Sequence, residues 1–315
     1  MSNQFVIIPD SSCDLPANLR ERFGITDYLH GVLYYPDGHA EPCDLDWGNI
    51  SPEAFYDSMK KRNVLYKTAT PPMDDVEKTF EKYLSQGIDV LSLSLSSALS
   101  SSYQNALLVA RDLQKKYPER KIVCLDSLRY SNALALLTVL ACKKRDEGAS
   151  LDETVAYLEE TRHCIHQMGP MDDLFFLVKT GRISNSKAFF GSLVGVNPMA
   201  DFNRKGLSEV LVKMKGKRAA FDATLKYMEQ TIIDPEDQIL FIAHSNRAAA
   251  AEQLAQLVQE KFSPKEIIIN HVGQACGASV GPGLCAVYYV GKPISEDLSE
   301  EKEIMAEIAA AQKKK

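Results

Sequence analysis

Val90-Leu91-Ser92-Leu93-Ser94-Leu95-Ser96-Ser97-Ala98-Leu99-Ser100-Ser101-Ser102-Tyr103-Gln104 passes from an apolar stretch into a run of five serines within seven residues, 96–102. The apolar part predicts a buried strand over 89–95, and Tyr103 to Lys116 predicts a helix. A strand that enters a helix through small hydroxylated residues brings backbone N–H groups and hydroxyl donors to one spot, which are the ingredients of an anion site. Downstream, Lys121-Ile122-Val123-Cys124-Leu125 reads as the next strand and 131–146 as the next helix. Upstream, Phe5-Val6-Ile7-Ile8 is a short strand closed by Pro9-Asp10-Ser11-Ser12. Ser51-Pro52-Glu53 carries an N-cap and a proline at the first helical position, opening a helix to about Arg62. Thr70-Pro71 repeats that signal before Met73, Val76, Phe80 and Tyr83 recur at helical spacing. Ser150-Leu151-Asp152-Glu153 is a capping box for a helix expected to reach about Met168. Alternation of this kind predicts an α/β fold with a mainly parallel sheet and flanking helices.

The second half has a different rhythm. Leu174-Phe175-Phe176-Leu177-Val178 is a strand candidate, and a helical stretch covers roughly 187–194. Two extended segments flank a hairpin turn at Asn203-Arg204-Lys205-Gly206. Helices at 217–232 and 248–262 then alternate with strands at 238–243, 265–272 and 284–290. Hairpins mixed with helices predict an α+β domain with a mixed or antiparallel sheet. The boundary falls near Gly169-Pro170, giving an N-terminal domain of 1–168 and a C-terminal domain of 169–315 that ends in an additional helix. That last helix, from Ser295, begins acidic and ends in Lys313-Lys314-Lys315, in line with its own dipole.

Composition narrows the function classes. Apolar residues make up 45% and charged residues 25%, an ordinary soluble balance. A net charge of −6 provides no electrostatic footprint for nucleic acid. The apolar run Ala133–Cys142 is about half of the ~20 residues a membrane span needs. No signal peptide is visible at the N-terminus. Seven cysteines without a C-x-x-C pair fit reduced thiols, so a cytoplasmic location is expected.

Motifs of familiar chemistry are missing. There is no G-x-x-x-x-G-K-[ST] and no G-x-G-x-x-G between strand and helix; the glycine cluster from Gly273 to Gly283 leads from one strand into another. The G-x-S-x-G elbow is absent too, although six histidines leave a spatially assembled triad open. His163 and His166 share a spacing that a metal half-site would use, but further ligands cannot be named and satisfied histidines are the simpler reading. Asp10 and Asp14 read as an Asx-type turn into a helix after Pro16. Arg182 beside Gly181 is either a structural ion pair or a contact to an anion or a partner's acidic surface. Gly281-Pro282-Gly283 is a tight turn, and its glycines would also let a ligand approach the backbone.

The order of these features carries more than any one of them. Asp10-Ser11-Ser12-Cys13-Asp14-Leu15-Pro16, Lys67-Thr68-Ala69-Thr70-Pro71, the serine run with Tyr103-Gln104, Asp126-Ser127, Gly181-Arg182-Ile183-Ser184 and Gly281-Pro282-Gly283 follow one another along the chain. This series resembles the DegV family of bacterial fatty-acid-binding proteins over nearly the whole length. The resemblance implies a two-domain protein holding a long-chain fatty acid between its domains as ligand, with no other cofactor and no metal. It implies a non-catalytic carrier whose bound carboxylate a separate fatty acid kinase subunit phosphorylates, the acyl phosphate then feeding lipid metabolism. By position Thr68, Ser96 and Ser97 match the residues that bind the carboxylate, Arg182 an arginine of the kinase-facing region, and Gly281 and Gly283 a ligand-adjacent loop. Three positions depart from the family pattern: Ser279 stands where histidine is usual, Ala98 and Ser101 replace glycines, and Thr180 replaces the glycine before Gly181. Ser279 can still donate a hydrogen bond to the head group, but it cannot carry positive charge to an incoming phosphate. A hydroxyl cluster can hold a carboxylate without a buried counter-charge, and burying a C16–C18 tail supplies on the order of 10 kcal/mol of gross driving force. Two other readings stay open: a serine-dependent acyl hydrolase or transferase using Ser96 or Ser97, and a carrier of another amphipathic acid.

Overall fold

The computed structural model describes residues 5–172, 174–183 and 195–313. The helix expected over 187–194 therefore lies outside the described residues, as do Ser184 of the Gly-Arg-Ile-Ser motif and the last two lysines. The chain divides into two compact units. The first comprises residues 1–50, 65–162 and 273–276; the second comprises 51–64, 163–272 and 277–315. Residues 51–64 and 273–276 thus cross over, and no single cut along the chain describes the division.

In the first unit β1 (Phe5–Pro9), β5 (Asp89–Ser94) and β6 (Ile122–Asp126) form a parallel sheet in the order β1-β5-β6, with Phe5 opposite Asp89 and Val90 opposite Ile122. Helix α1 (Ala17–Arg22) follows β1. α3 (Met73–Leu84) and α4 (Ser102–Lys116) bury Val76, Phe80, Leu84, Ala106, Val109 and Leu113 against Val6, Ile8 and Val90 of the sheet. α5 (Asn132–Asp146) is buried around most of its circumference. That burial accounts for the apolar run 133–142, since a helix apolar on all sides belongs inside a core. Among the described residues no helix is long and apolar enough to cross a membrane. Three short strands, β2 (Val32–Tyr34), β3 (Ala40–Pro42) and β4 (Lys67–Ala69), form an antiparallel sheet in the order β3-β2-β4 that the sequence did not announce. α6 (Leu151–Thr161) opens with the expected capping box at Ser150 and Glu153, but it ends seven residues before Met168.

In the second unit β7 (Ile165–Met168) occupies the place where that helix was expected to continue. β10 (Ile239–His244), β11 (Glu266–His271) and β12 (Cys285–Val290) join β7 in a mixed sheet of order β11-β10-β12-β7, parallel only between β10 and β11. α2 (Pro52–Met59), capped by Ser51 as predicted, belongs to this unit. Residues 174–178 are not a strand: α7 (Phe175–Thr180) is a short helix closed by Gly181 in the left-handed region. Its continuous apolar run suits either state, and length alone does not decide between them. β8 (Val196–Phe202) and β9 (Ser208–Lys215) form the expected hairpin, with Asn203 Oδ1 accepting from Lys205 and Leu207 N–H across its turn. α8 (Lys217–Thr231), α9 (Ala248–Phe262) and α11 (Ser299–Lys313) supply the helical cover, and α10 (Gln274–Val280) interrupts what was read as a glycine-rich link between two strands.

The sheet and the hairpin of this unit are joined by a buried polar anchor. Asp201 on β8 accepts from His166 Nδ1 at 2.6 Å, from the N–H of Gln167 at 2.9 Å and of Phe202 at 2.7 Å, and from Tyr227 OH at 2.7 Å. His166 Nε2 faces Lys292 O at 2.8 Å, and the ring stacks on Tyr289. Both ring nitrogens are engaged, Nδ1 at the Asp201 carboxylate and Nε2 at the Lys292 carbonyl. The simpler reading of His166, a histidine satisfied by hydrogen bonds, is the one the geometry shows; among the described residues no group of three or more metal-ligating side chains occurs. Removing an acceptor from a buried network of this kind leaves donors unsatisfied. Asp201→Asn is expected to lower unfolding stability by about 1–3 kcal/mol in urea denaturation, and a loss near zero would show that the anchor is ornamental.

Candidate functional site: the serine loop and its carboxylate ties

The carboxyl ends of β1, β5 and β6 deliver three loops to one edge of the parallel sheet, where open α/β sheets place their ligands. From β1 comes Asp10, almost fully buried. Its Oδ1 accepts from Ser12 N at 2.9 Å and from the Ser12 hydroxyl, and its Oδ2 accepts from Leu95 N at 2.9 Å. The Leu95 bond ties the first loop to the segment that leads into Ser96. Burial pushes the Asp10 pKa up, against the opposing hydrogen bonds from Ser12 and Leu95. Ser11 Oγ accepts from Gly31 N at 2.9 Å, so the same loop also holds the start of the small antiparallel sheet.

The serine loop is more occupied than its sequence suggests. Ser96 N donates to Arg129 O at 3.0 Å and Ser97 N to Asp126 Oδ1 at 3.1 Å. Leu99 N and Ser100 N both turn back to Ser96 O, and Ser102 N donates to Ser100 Oγ. The expectation of a row of free amides is therefore corrected: most of the loop's N–H groups fold the loop itself. Hydroxyls and the helix start are what it offers a ligand. Ser97 is half-buried, and no hydrogen bond engages its hydroxyl among the described residues. α4 begins at Ser102 with no side-chain cap and no acidic residue in its first turn, which leaves its positive end unneutralised.

Two residues near this loop, Ser94 and Arg129, had no sequence signal, and a third, Asp14, was legible only as part of an Asx-type turn. Ser94, at the end of β5, is completely buried and its hydroxyl has no partner among the described residues; in the sequence it was one more residue of a strand. Arg129 is also fully buried; its carbonyl receives Ser96 N–H and its Nη1 donates to Leu128 O at 2.7 Å. A buried cation thus belongs to the serine loop's hydrogen-bonded surroundings, which the expectation of a wholly uncharged clamp did not include. Asp14 is the third. Ser131 Oγ donates to its Oδ2, and Gly273 packs so closely that a Cβ there would lie 2.2 Å from Asp14 Oδ1. Burial, aided by the nearby Asp10 charge, raises the Asp14 pKa to about 7 despite the bonds from Ser131 and Gly273. Cys13 and Cys276, also buried here, are pushed well above the ordinary thiol range and act as small apolar packers.

The other sequence-predicted residues are placed as follows. Thr68 lies on β4, exposed and opposite Leu33. Two residues on, Thr70 Oγ1 accepts from Asn105 Nδ2 of α4 at 3.0 Å, so the end of β4 is tethered to the helix that the serine loop begins. Ser279, Arg182, Gly281 and Gly283 belong to the second unit. Ser279 is half-buried on α10. Arg182 is exposed, follows Gly181, and donates from Nη1 to Thr180 O; among the described residues it pairs with no carboxylate. Gly281 and Gly283 have positive φ, and a Cβ at either would press on the chain's own side chains: Phe176 at 2.1 Å and Asp172 at 2.8 Å. These two glycines are required by packing within the unit. His271, eight residues before Ser279, ends β11 edge-on to His244 at 4.3 Å, and burial lowers the pKa of both rings.

Two compact α/β units, the first with a carboxylate-tied hydroxyl loop at the carboxyl edge of its parallel sheet, define the class of fold. The model of the family described as DegV, an uncharacterised protein family, matches residues 4–292. This chain belongs to the DegV family. A DegV domain-containing protein of Clostridium perfringens is 32% identical over 288 residues, covering 91% of this chain and 98% of the relative. Among solved structures, a DegV lipid-binding protein of Thermotoga maritima is 25% identical, with a TM-score of 0.76 and coverage of 92% of this chain and 99% of that one. A DegV family protein of Thermus thermophilus, described for its fatty acid binding, is 24% identical with a TM-score of 0.81, covering 91% and 99%.

The raised Asp14 pKa makes a signed prediction. Below pH 4 the folded and unfolded states both carry the protonated acid. As pH rises toward about 7 the unfolded state ionises first, so stability falls, and above that it levels. Asp14→Asn is expected to remove that fall, so the stability difference between wild type and variant should change by on the order of a few kcal/mol between pH 4 and 8. Parallel pH profiles in urea unfolding would overturn the assignment.

Proposed function

We propose that this protein binds a long-chain fatty acid and presents its carboxylate to a separate kinase subunit, without itself catalysing a reaction. The observation that carries the reading is the loop 96–102: it offers hydroxyls and an unneutralised helix start, while its amides are spent within the loop and on Arg129 and Asp126. Membership of the DegV family and the lipid-binding descriptions of the Thermotoga and Thermus proteins support the ligand class. In this reading Thr68, Ser96 and Ser97 donate to the carboxylate, with Ser94 as a further donor. Ser279 adds a hydroxyl at the position where the DegV resemblance implies a histidine. Arg182, with no carboxylate partner among the described residues, faces the kinase. Gly281 and Gly283 hold the ligand-adjacent loop in its turn.

The hydrolase alternative needs a base at the serine. The two histidines of the first unit are engaged elsewhere, His30 Nδ1 with Cys43 O at 3.1 Å and His39 Nδ1 with Asp37 at 2.5 Å. No histidine hydrogen-bonds Ser97 among the described residues, which favours a carrier.

Mass spectrometry of lipid released from freshly purified protein is expected to recover a stoichiometric long-chain fatty acid. The double variant Thr68→Val/Ser97→Ala is expected to bind it at least ~10-fold more weakly, since each lost hydrogen bond is worth about 1 kcal/mol. An empty protein, or serine-dependent turnover of a chromogenic acyl ester, would sink the carrier reading. For the transfer step, Ser279→His is expected to raise acyl-phosphate formation by a cognate kinase; an already efficient wild type with no gain would remove Ser279 as the limiting residue.

A further inference from the structure

The second unit contains a cavity of about 430 Å³ at the carboxyl end of β10, walled by Met59, Lys60, Arg62, Phe176, Arg247 and the Pro282-Gly283 turn. Asp172 is the single carboxylate among its described lining residues, against three cations, in a chain whose net charge is −6. Asp172 is paired with Arg247, and Lys60 with Asp57 at the rim at 2.6 Å. The Arg62 guanidinium lies 5.1 Å from the centre of the Phe175 ring. Lys60, Arg62 and Asp172 are exposed or partly exposed, so the pairs they make are weak and a multivalent oxyanion competes with them readily.

The wall is prearranged. Asn246 Nδ2 donates to Asp57 Oδ1 at 2.6 Å, Arg247 N donates to His244 Nδ1 at 3.3 Å, and Gly283 N donates to Ser245 O at 2.9 Å. Together these bonds fix the turn that projects Arg247. Arg247 is also the N-cap of the fifteen-residue helix α9, which has no side-chain cap and no acidic residue in its first turn. That helix end adds positive potential to the cations already facing the cavity. Arginine forks match the oxygen geometry of phosphate. Met59, Phe176 and Pro282 provide an apolar wall beside them.

We infer that this cavity is a binding site for a phosphate-bearing small molecule, with Arg62, Lys60 and Arg247 on the phosphate oxygens. The site stands on the second unit's residues alone and does not depend on the fatty acid reading. The Asp172 carboxylate acts as a stand-in that the ligand's phosphate displaces from Arg247.

Isothermal titration of the full chain with inorganic pyrophosphate tests this, with malonate as a dicarboxylate comparison. Saturable pyrophosphate binding is expected below about 10 mM, weaker at higher salt and tighter than malonate. Arg62→Gln and Arg247→Gln are each expected to weaken it at least ~10-fold, and Arg62→Lys less. Asp172→Asn is expected to tighten it several-fold, a direction that a purely structural ion pair would not produce. Thermal melts of each variant identify any that fail to fold, and Asp172→Asn with Arg62→Lys then decide the outcome. Absence of saturation, binding unmoved by the arginine variants, or malonate binding more tightly than pyrophosphate would each overturn the inference.

Discussion

The burial of the Asp10 carboxylate is the constraint on which the candidate site depends. An ionised group taken out of water is costly unless donors surround it. Here the donors are Ser12 in its own loop and Leu95 N on the neighbouring strand's exit. To satisfy Asp10, the loop after β1 and the segment entering Ser96 must lie side by side. Asp126 repeats the device one strand further on, taking Ser97 N and Leu128 N on the same oxygen. Ser131 N then donates to Ser12 O and closes the set of three loops. The serine hydroxyls are positioned by carboxylates that never need to touch a ligand.

The second unit solves a related problem around Asp201. A β-hairpin is a weak partner for a sheet because it offers mainly side-chain contacts. The Asp201 carboxylate binds it to β7 through His166 and Gln167 N, and to α8 through Tyr227. Each unit thus holds a buried carboxylate that ties together segments far apart along the chain. In the first unit a second buried carboxylate, Asp14, is left by desolvation near its midpoint at neutral pH.

Local signals read correctly where one residue's chemistry decides the backbone. Ser51 with Pro52, Ser150 with Glu153, and Asn203 with Gly206 mark a helix start, a capping box and a hairpin turn, and all three are present. Misreadings fall where the local chemistry is neutral between states. Leu174–Val178 is apolar throughout and became a helix. Ile165–Met168 continued a helical pattern but pairs with β12, because an edge of the sheet was open to it. The three-residue strands β2, β3 and β4 are too short for a period-2 pattern to show.

The sequence by itself determined the α/β alternation, the order of the Asp-Ser-Ser, Thr, serine-run and Gly-Pro-Gly motifs, and hence the DegV family. Those are properties of residue type and spacing, which the linear chain carries in full. Only the tertiary structure decided which of the loop's groups remain to meet a ligand. It spent the amides of Ser96 and Ser97 on Arg129 and Asp126, buried Ser94 and Arg129 beside them, and lifted the pKa of Asp14. It also assigned the room at Gly281 and Gly283 to Phe176 and Asp172. Each of these depends on desolvation and on partners far away along the chain, and neither has a local signature.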